Sequence, residues 1–308
     1  MQNLKMANNF KHILKIMKKM AIILVFLLPL GLFLKYFSEK KNIQNNNSLL
    51  WKISGNHLSK PSYIFGTMHL ICMGDFVWTN KMSESLENCD KICFEINKAD
   101  PQLKMKRSAL MIDSSGKTLI DYFSPEQYLA ISKYLKDQLG VNILRLSKMK
   151  PMVLEAILIR DIVNCPNTVS YEDTIMKMGQ FSNKEIIGLE EPREEFEAFE
   201  RLPNDSLASH ILEEINHPEI TQINYQILLK TYKLQDLPSL YEQIIKTKDI
   251  KDNIGPLLYD RNAKWIGRMT DKMNKSSVFF AVGAGHLWGD KGVITLLRKE
   301  GYTVEAIK

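Results

Sequence analysis

The chain has 308 residues, 45% of them hydrophobic, so it can bury a sizeable core and is not a disordered tail. Its formal charge of +6 invites a nucleic-acid reading, but residues 1–41 alone hold eight lysines, no arginine and one acid, Glu39. Setting those aside leaves 33 basic against 34 acidic side chains, so the body of the protein lacks a phosphate-tracking excess and no nucleic-acid partner is expected.

The same N-terminal segment carries the membrane signal. Lys18 and Lys19 precede Met20 to Leu34 (MAIILVFLLPLGLFL), a run apolar apart from Pro29 and Gly31. It has the length of a secretory apolar region and is short for a full transmembrane helix. Bulky residues, Leu34 to Phe37, follow where a cleavable signal needs small ones. Residues 1–37 are therefore expected to be a cytoplasmic basic segment and uncleaved signal anchor. Lysines ahead of the run send the rest of the chain to the extracytoplasmic, periplasmic side, secreted if the signal is cleaved. The polar, Asn-rich residues 38–48 read as a linker, and 49–308 as the folded domain.

Within that domain, Leu49 to Ser54 and Ser62 to Gly66 flank a Gly-Asn turn and predict a hairpin. A helix is expected from Asn80 to about Asn88, then a strand at Lys91 to Ile96 (KICFEI). From about Pro101 to Val163 the pattern is helical, with one helix marked by Ser124 as N-cap, Pro125, Gln127 and a terminal Gly140. Lys184 to Leu189 (KEIIGL) reads as a short strand, followed by a Glu-rich helix from about Glu191 and further helices to about Met273, interrupted at Pro218 and Pro238. A strand at Ser277 to Val282, a glycine loop, a helix from Asp290 to Glu300 and a strand at Tyr302 to Ile307 complete the chain. Strand signals at both ends and helices between them predict an α/β domain: a mixed central sheet built from both ends, with a large helical insertion. The four cysteines form no C-x-x-C, so neither a zinc pattern nor a disulfide is indicated, and Cys89 and Cys93 are expected to pack at a strand start.

A weak echo marks the chemistry. Gly66-Thr67-Met68-His69 follows SYIF, and Gly283-Ala284-Gly285-His286 follows VFFAV. Both histidines fall just past the C-terminal end of an apolar strand, where open α/β sheets place ligand and catalytic groups. Glu95 sits in what reads as an interior strand, where an unpaired carboxylate is costly and calls for a cation or metal. Glu190 occupies a similar position after EIIGL, and Arg261-Asn262 can supply a cation to both acids. Two imidazoles with carboxylates suit a divalent metal, and the same groups can also act without one, a histidine serving as general base. H-E-x-x-H, G-x-S-x-G and Walker A motifs are absent.

Taken together, WKISG, PSYIFGTMHL, CFEI, IIGLEEP, RNAKWI and VFFAVGAGHLWGDKGVITLLRKEGYTVEAI resemble the TraB/PrgY/GumN family, which is related to the Tiki proteases. The resemblance runs from about Leu49 to the C-terminus and is most specific in the last segment. It implies a membrane-anchored, metal-dependent peptidase whose active-site positions fall on His69, Glu95 and His286. More distant relatives include erythromycin-esterase-like enzymes and a haem-binding branch. After IIGLE the family continues with Thr and a later Gln, whereas this chain reads Glu191 to Glu195 (EPREE).

The resulting expectation is a hydrolase of peptide bonds. His69, Glu95 and His286 bind a divalent metal (Mn, Co or Zn), Glu190 or a bound hydroxide is the base, and Arg261 and Asn262 hold the carboxylates or stabilise an oxyanion. The alternative is a binding protein that sequesters a peptide signal or haem in an apolar pocket lined by Met68, Met73, Phe65 and Trp288.

Overall fold

A computed structural model describes residues 47–163, 165–247, 251 and 253–308. The expected anchor and nearly all of the linker lie outside the described residues, among which no helix is long and apolar enough to cross a membrane.

The hairpin forms as its turn chemistry predicts. Strands β1 (Leu50–Gly55) and β2 (Ser62–Thr67) pair antiparallel with Leu50 opposite Phe65, and Gly55, Asn56 and His57 turn the chain at positive φ. A two-residue strand β3 (Ile71–Cys72) follows, then α1 (Asn80–Glu87), N-capped by Thr79, and β4 (Lys91–Ile96). The middle is helical: α2 (Leu103–Met111), α3 (Pro125–Leu139) and α4 (Met152–Val163). Ser124 caps α3 in a capping box with Gln127, and Gly140 ends it in the left-handed region at φ 64°. Strand β5 (Thr168–Val169) and α5 (Tyr171–Phe181) lead to β6 (Glu185–Glu190). Helices α6 (Pro192–Glu200), α7 (Asn204–Asn216), α8 (Pro218–Lys233) and α9 (Leu237–Lys246) then precede a π turn, Gly255–Tyr259, which runs into α10 (Asp260–Met273). Strand β7 (Val278–Gly283), α11 (Val293–Lys299) and β8 (Tyr302–Ile307) close the chain. The last helix starts three residues later than its expected Asp290, because Asp290 to Gly292 are folded into a tight turn. A Cβ on Gly292 would lie 2.3 Å from the Trp288 carbonyl oxygen.

The main sheet has six strands in the order β6-β4-β7-β2-β1-β8, an α/β arrangement as expected, with both ends of the domain contributing. β6, β4, β7 and β2 run parallel, and β1 is antiparallel to both its neighbours. The central strands β2 and β7 are buried almost throughout, which is why their sequences are continuous apolar runs rather than alternating ones. Helices α1, α5, α10 and α11 bury Leu86, Ile175, Trp265, Met269 and Leu297 in the core around this sheet. A second apolar cluster, including Phe123, Ile131, Leu135, Leu158 and Ile211, holds α3, α4 and α7 together in the helical middle.

One covalent feature corrects the cysteine reading. β3 and β5 pair antiparallel, and beside them Cys72 and Cys165, 93 residues apart, form a disulfide with a Cα–Cα distance of 6.0 Å. Nothing in their spacing announces it, since the tertiary pairing of two short segments brings them together. Cys89 and Cys93 are free, buried thiols, as expected, and burial pushes both up to about 12.

Candidate functional site

The C-terminal ends of four adjacent parallel strands carry the polar residues. Glu190 ends β6, Glu95 is the penultimate residue of β4, and β2 and β7 end side by side with Thr67 opposite Gly283. His69 and His286 therefore leave neighbouring strands at the same edge, where parallel α/β sheets build their ligand sites. Helix α10 lays Arg261 and Asn262 across that edge.

Arg261 is the hub. Its Nη2 donates to Glu95 Oε2 at 2.6 Å and to Glu190 Oε1 at 2.5 Å, and its Nε donates to Glu190 Oε1 at 3.0 Å. Its Nη1 donates to the Leu257 carbonyl at 3.2 Å, using an acceptor from the π turn just before it, and lies 3.3 Å from His286 Nε2. Glu190 also accepts from Trp265 Nε1 at 3.0 Å. Burial raises the Glu190 carboxyl despite those donors. Glu95 differs: burial opposes its charge, but Arg261, the two imidazoles and the Gly283 N–H at 2.7 Å outweigh that and hold it down at about 2. The Gly283 amide is available because the β4–β7 ladder ends two residues earlier, at Phe94 opposite Ala281.

His286 is buried, with Trp265 stacked near it at a centroid distance of 4.4 Å. Asn262 Nδ2 donates to the carbonyls of His286 and Lys291, so its Oδ1 must accept, and it faces His286 Nδ1 at 2.6 Å. The ring proton therefore sits on Nδ1, and Nε2 carries the lone pair. Burial pushes this imidazole down to about 3; Glu95 opposes that shift, and the Arg261 and His69 charges reinforce it.

His69 has the opposite environment. Its side chain is 75% exposed, and Nδ1 lies 2.8 Å from Oε1 of Glu172, the second residue of α5. Thr67 Oγ1 donates to the same carboxylate at 2.6 Å and Ser170 Oγ at 2.8 Å, fixing it in place. The Glu172 charge raises the imidazole to about 9, although solvent screens a pair whose ring is so exposed. Glu172 itself would be raised by burial, but His69 and Thr67 hold it well below the carboxylate range. The two sides meet at Gly283. A Cβ there would lie 3.3 Å from Glu95 Oε1, 3.6 Å from His286 Cδ2 and 3.8 Å from His69 Nε2, so a bare α-carbon leaves a cradle edged by all three.

Each residue expected for the site is at this edge, with roles redistributed. Arg261 holds both carboxylates, as expected. Asn262 reaches neither acid and instead orients His286. Glu190, expected as a base, is tied to Arg261 and Trp265, with a side chain only 1% exposed. Glu172 was not anticipated, because it sits in a helix start 103 residues from His69 and reads there as an ordinary first-turn acid. The metal expectation meets the same redistribution. The two oriented imidazoles suit metal chemistry, since a ligating histidine needs its far nitrogen anchored. However, the His286 lone pair faces a guanidinium and Glu95 Oε2 is bound to it, so His69, Glu95 and His286 as placed do not fit a three-ligand set. Among the described residues no group of three or more His, Cys, Asp or Glu side chains could hold a metal.

A cavity of about 290 Å³ opens at this edge, bordered by His69, Arg261 and His286. Of the residues expected to line an apolar pocket only Met68 does so. Phe65 is fully buried, Met73 is 57% exposed, and Trp288 packs against Trp51.

Fold and site thus define an α/β protein with a polar, acid–base-capable cluster at the C-terminal edge of its parallel strands. The sequence profile of the TraB/PrgY/gumN family matches residues 49–306, and the chain belongs to that family. It is 23% identical to "Metalloprotease TIKI homolog" of Amphimedon queenslandica, over 93% of this chain and 67% of the relative. To "Metalloprotease TIKI1" of Danio rerio it is 22% identical, over 84% of this chain and 63% of the relative. A shorter stretch, 16% of the chain, is 42% identical to "Metalloprotease TIKI2" of Danio rerio. The chain thus spans about two thirds of the length of the first two relatives. No solved structure matches it.

Proposed function

We propose that this protein is a hydrolase of peptide bonds, working by general acid–base chemistry at the sheet edge. The observation that supports this reading is the split between its two G-x-x-H histidines. His69 is exposed, oriented by Glu172 and pushed towards the imidazolium, whereas His286 is buried, oriented by Asn262 and held neutral. Paired groups whose environments drive their pKa values apart mark acid and base assignments. His69 Nε2 gives a proton to the leaving amide nitrogen when charged and takes one from water when neutral. Glu95 Oε1 is the acceptor at the edge of the Gly283 cradle, where the attacking water would be held, and the His286 ring, its Nε2 turned to Arg261, closes the other side. Arg261, clamped by two carboxylates, keeps Glu95 charged and in place at the edge of the cradle.

Dependence on a divalent metal, Mn, Co or Zn, is the expectation from the sequence, and the relatives' names carry the word metalloprotease without naming a metal. The placed side chains do not supply its third donor, so no step is drawn through a metal. We also place the domain on the extracytoplasmic side of a membrane, held by the N-terminal segment. The basic-then-apolar order of that segment supports this, as does a disulfide that suits an oxidising compartment.

Digesting a peptide library with the purified full chain, with chelator and with each metal added, tests the reading. Cleavage that disappears in His69→Ala is expected. Equal cleavage by wild type and His69→Ala, or none by either, would overturn it. Protease accessibility of a C-terminal tag in spheroplasts tests the topology, and a protected tag would refute it.

A further inference from the structure

The cavity beside the histidines has an apolar interior. Met68, Leu228 of α8, Leu240 and Ile244 of α9, and Leu257 and Leu258 of the π turn form its walls. Its interior hydroxyls are already engaged. Thr67 donates to Glu172, and Tyr232 donates to the Gly66 carbonyl at 2.9 Å. The charged and ring groups, His69, Arg261 and His286, border the same space and belong to the polar cluster at the sheet edge. Gly285, in the second G-x-x-H motif, touches the wall directly: a Cβ there would lie 3.4 Å from Ile244 Cγ2 and 3.5 Å from Ile244 Cδ1. A residue with a side chain at that position would begin to fill the cavity from the histidine side.

We infer that this cavity is a specificity pocket, which takes one large apolar side chain (Leu, Met or Phe) of a peptide whose adjacent bond lies over His69. The assignment rests on the hydrolase reading for its bond position, but the pocket itself is defined by shape and chemistry. Walls without an unengaged polar group favour a side chain that brings no polar atom, because a buried amide or charge would lose its water without gaining a partner. Continuity with the histidines ties the pocket to the peptide next to the reacting bond and not to a remote anchor. The π turn contributes on both sides, since Leu257 lines the pocket while its carbonyl holds Arg261.

The test compares peptides identical except for Leu or Ala at one position, moved stepwise along the sequence, with wild type and Ile244→Trp. Two readouts are taken, turnover and equilibrium binding measured by calorimetry. At one position wild type should prefer Leu over Ala at least about tenfold, in binding as in turnover, and Ile244→Trp should erase that ratio by filling the pocket. A circular dichroism melt shows that the variant is folded, and Gly285→Ala, a smaller intrusion, should reduce the ratio in part. Turnover with no Leu preference at any position, or the same preference in Ile244→Trp, would overturn the pocket while leaving the hydrolase reading standing. A Leu preference in binding that Ile244→Trp abolishes, with no turnover, would support the pocket and refute the hydrolase.

Discussion

The two G-x-x-H corners share a motif at the end of a strand and end as different chemical groups. His69 projects into solvent and leans on a carboxylate, whereas His286 is enclosed beneath Trp265 and leans on an amide. Motif spacing places a histidine at a strand end. The partner on its Nδ1 and the water around it decide whether it carries a proton. The His69 corner is consequently suited to exchanging protons with substrate. The His286 corner is part of a buried lattice through Asn262, Arg261, Glu190 and Glu95 that also stabilises the domain.

Replacing each histidine in turn is the sharpest way to break this comparison. His69→Ala should lower kcat/KM by roughly 10²–10⁴-fold while changing stability by about 1 kcal/mol or less, since Thr67 and Ser170 still hold Glu172. His286→Ala should also cost about 2–5 kcal/mol of stability, because it empties a buried site against Trp265. Urea denaturation of both variants beside their kinetics separates the two, and equal stability losses would mean that the corners do not differ in kind.

Arg261→Met probes the lattice itself. It leaves Glu95 and Glu190 facing one another without their shared cation, at a cost of about 3–5 kcal/mol in unfolding free energy. A loss under about 1 kcal/mol would show that the carboxylates find other partners. The His69 corner has its own tie. Cys72 lies three residues after His69, and Cys165 lies seven before Glu172, so the disulfide and the β3–β5 pair join the two segments that the His69–Glu172 bond also joins. Cys72→Ser with Cys165→Ser should cost about 2–4 kcal/mol in thermal or urea unfolding, and unchanged stability would contradict the bond.

The smallest expected effect is also the most specific. The Glu172 carboxylate favours the charged imidazole, so the pH midpoint of kcat/KM that belongs to His69 should lie above the ordinary 6.5. Glu172→Gln removes that charge and should move the midpoint down towards 6.5, by about one unit for a pair this exposed. An unmoved midpoint in the pH profile would detach Glu172 from His69.

Local rules alone were enough for much of the fold. The hairpin, the α3 caps, the positions of strands β2, β4, β6 and β7 and the terminal β8 follow from turn residues, capping residues and apolar runs, all of which act within a few residues. The burial of Glu95 was also legible, because KICFEI is too apolar for an edge strand and its acid had to find a cation. Roles were less legible than positions. Glu190 and Asn262 lay where expected but serve Arg261 and His286, since a side chain's task depends on which neighbour arrives within 3 Å.

What the linear chain determined, then, is where the strands and helices lie and which residues reach the strand ends, because backbone propensity and hydrophobic periodicity are short-range; the order and direction of the strands came with packing. Its uneven charge likewise belongs to residues 1–41 and not to the domain. The Glu172–His69 bond, the Cys72–Cys165 disulfide, the Arg261 clamp and the apolar cavity were settled only by packing. Each joins segments brought from far along the chain, and a hydrogen bond or a cavity wall exists only when both sides are held to within a few tenths of an ångström.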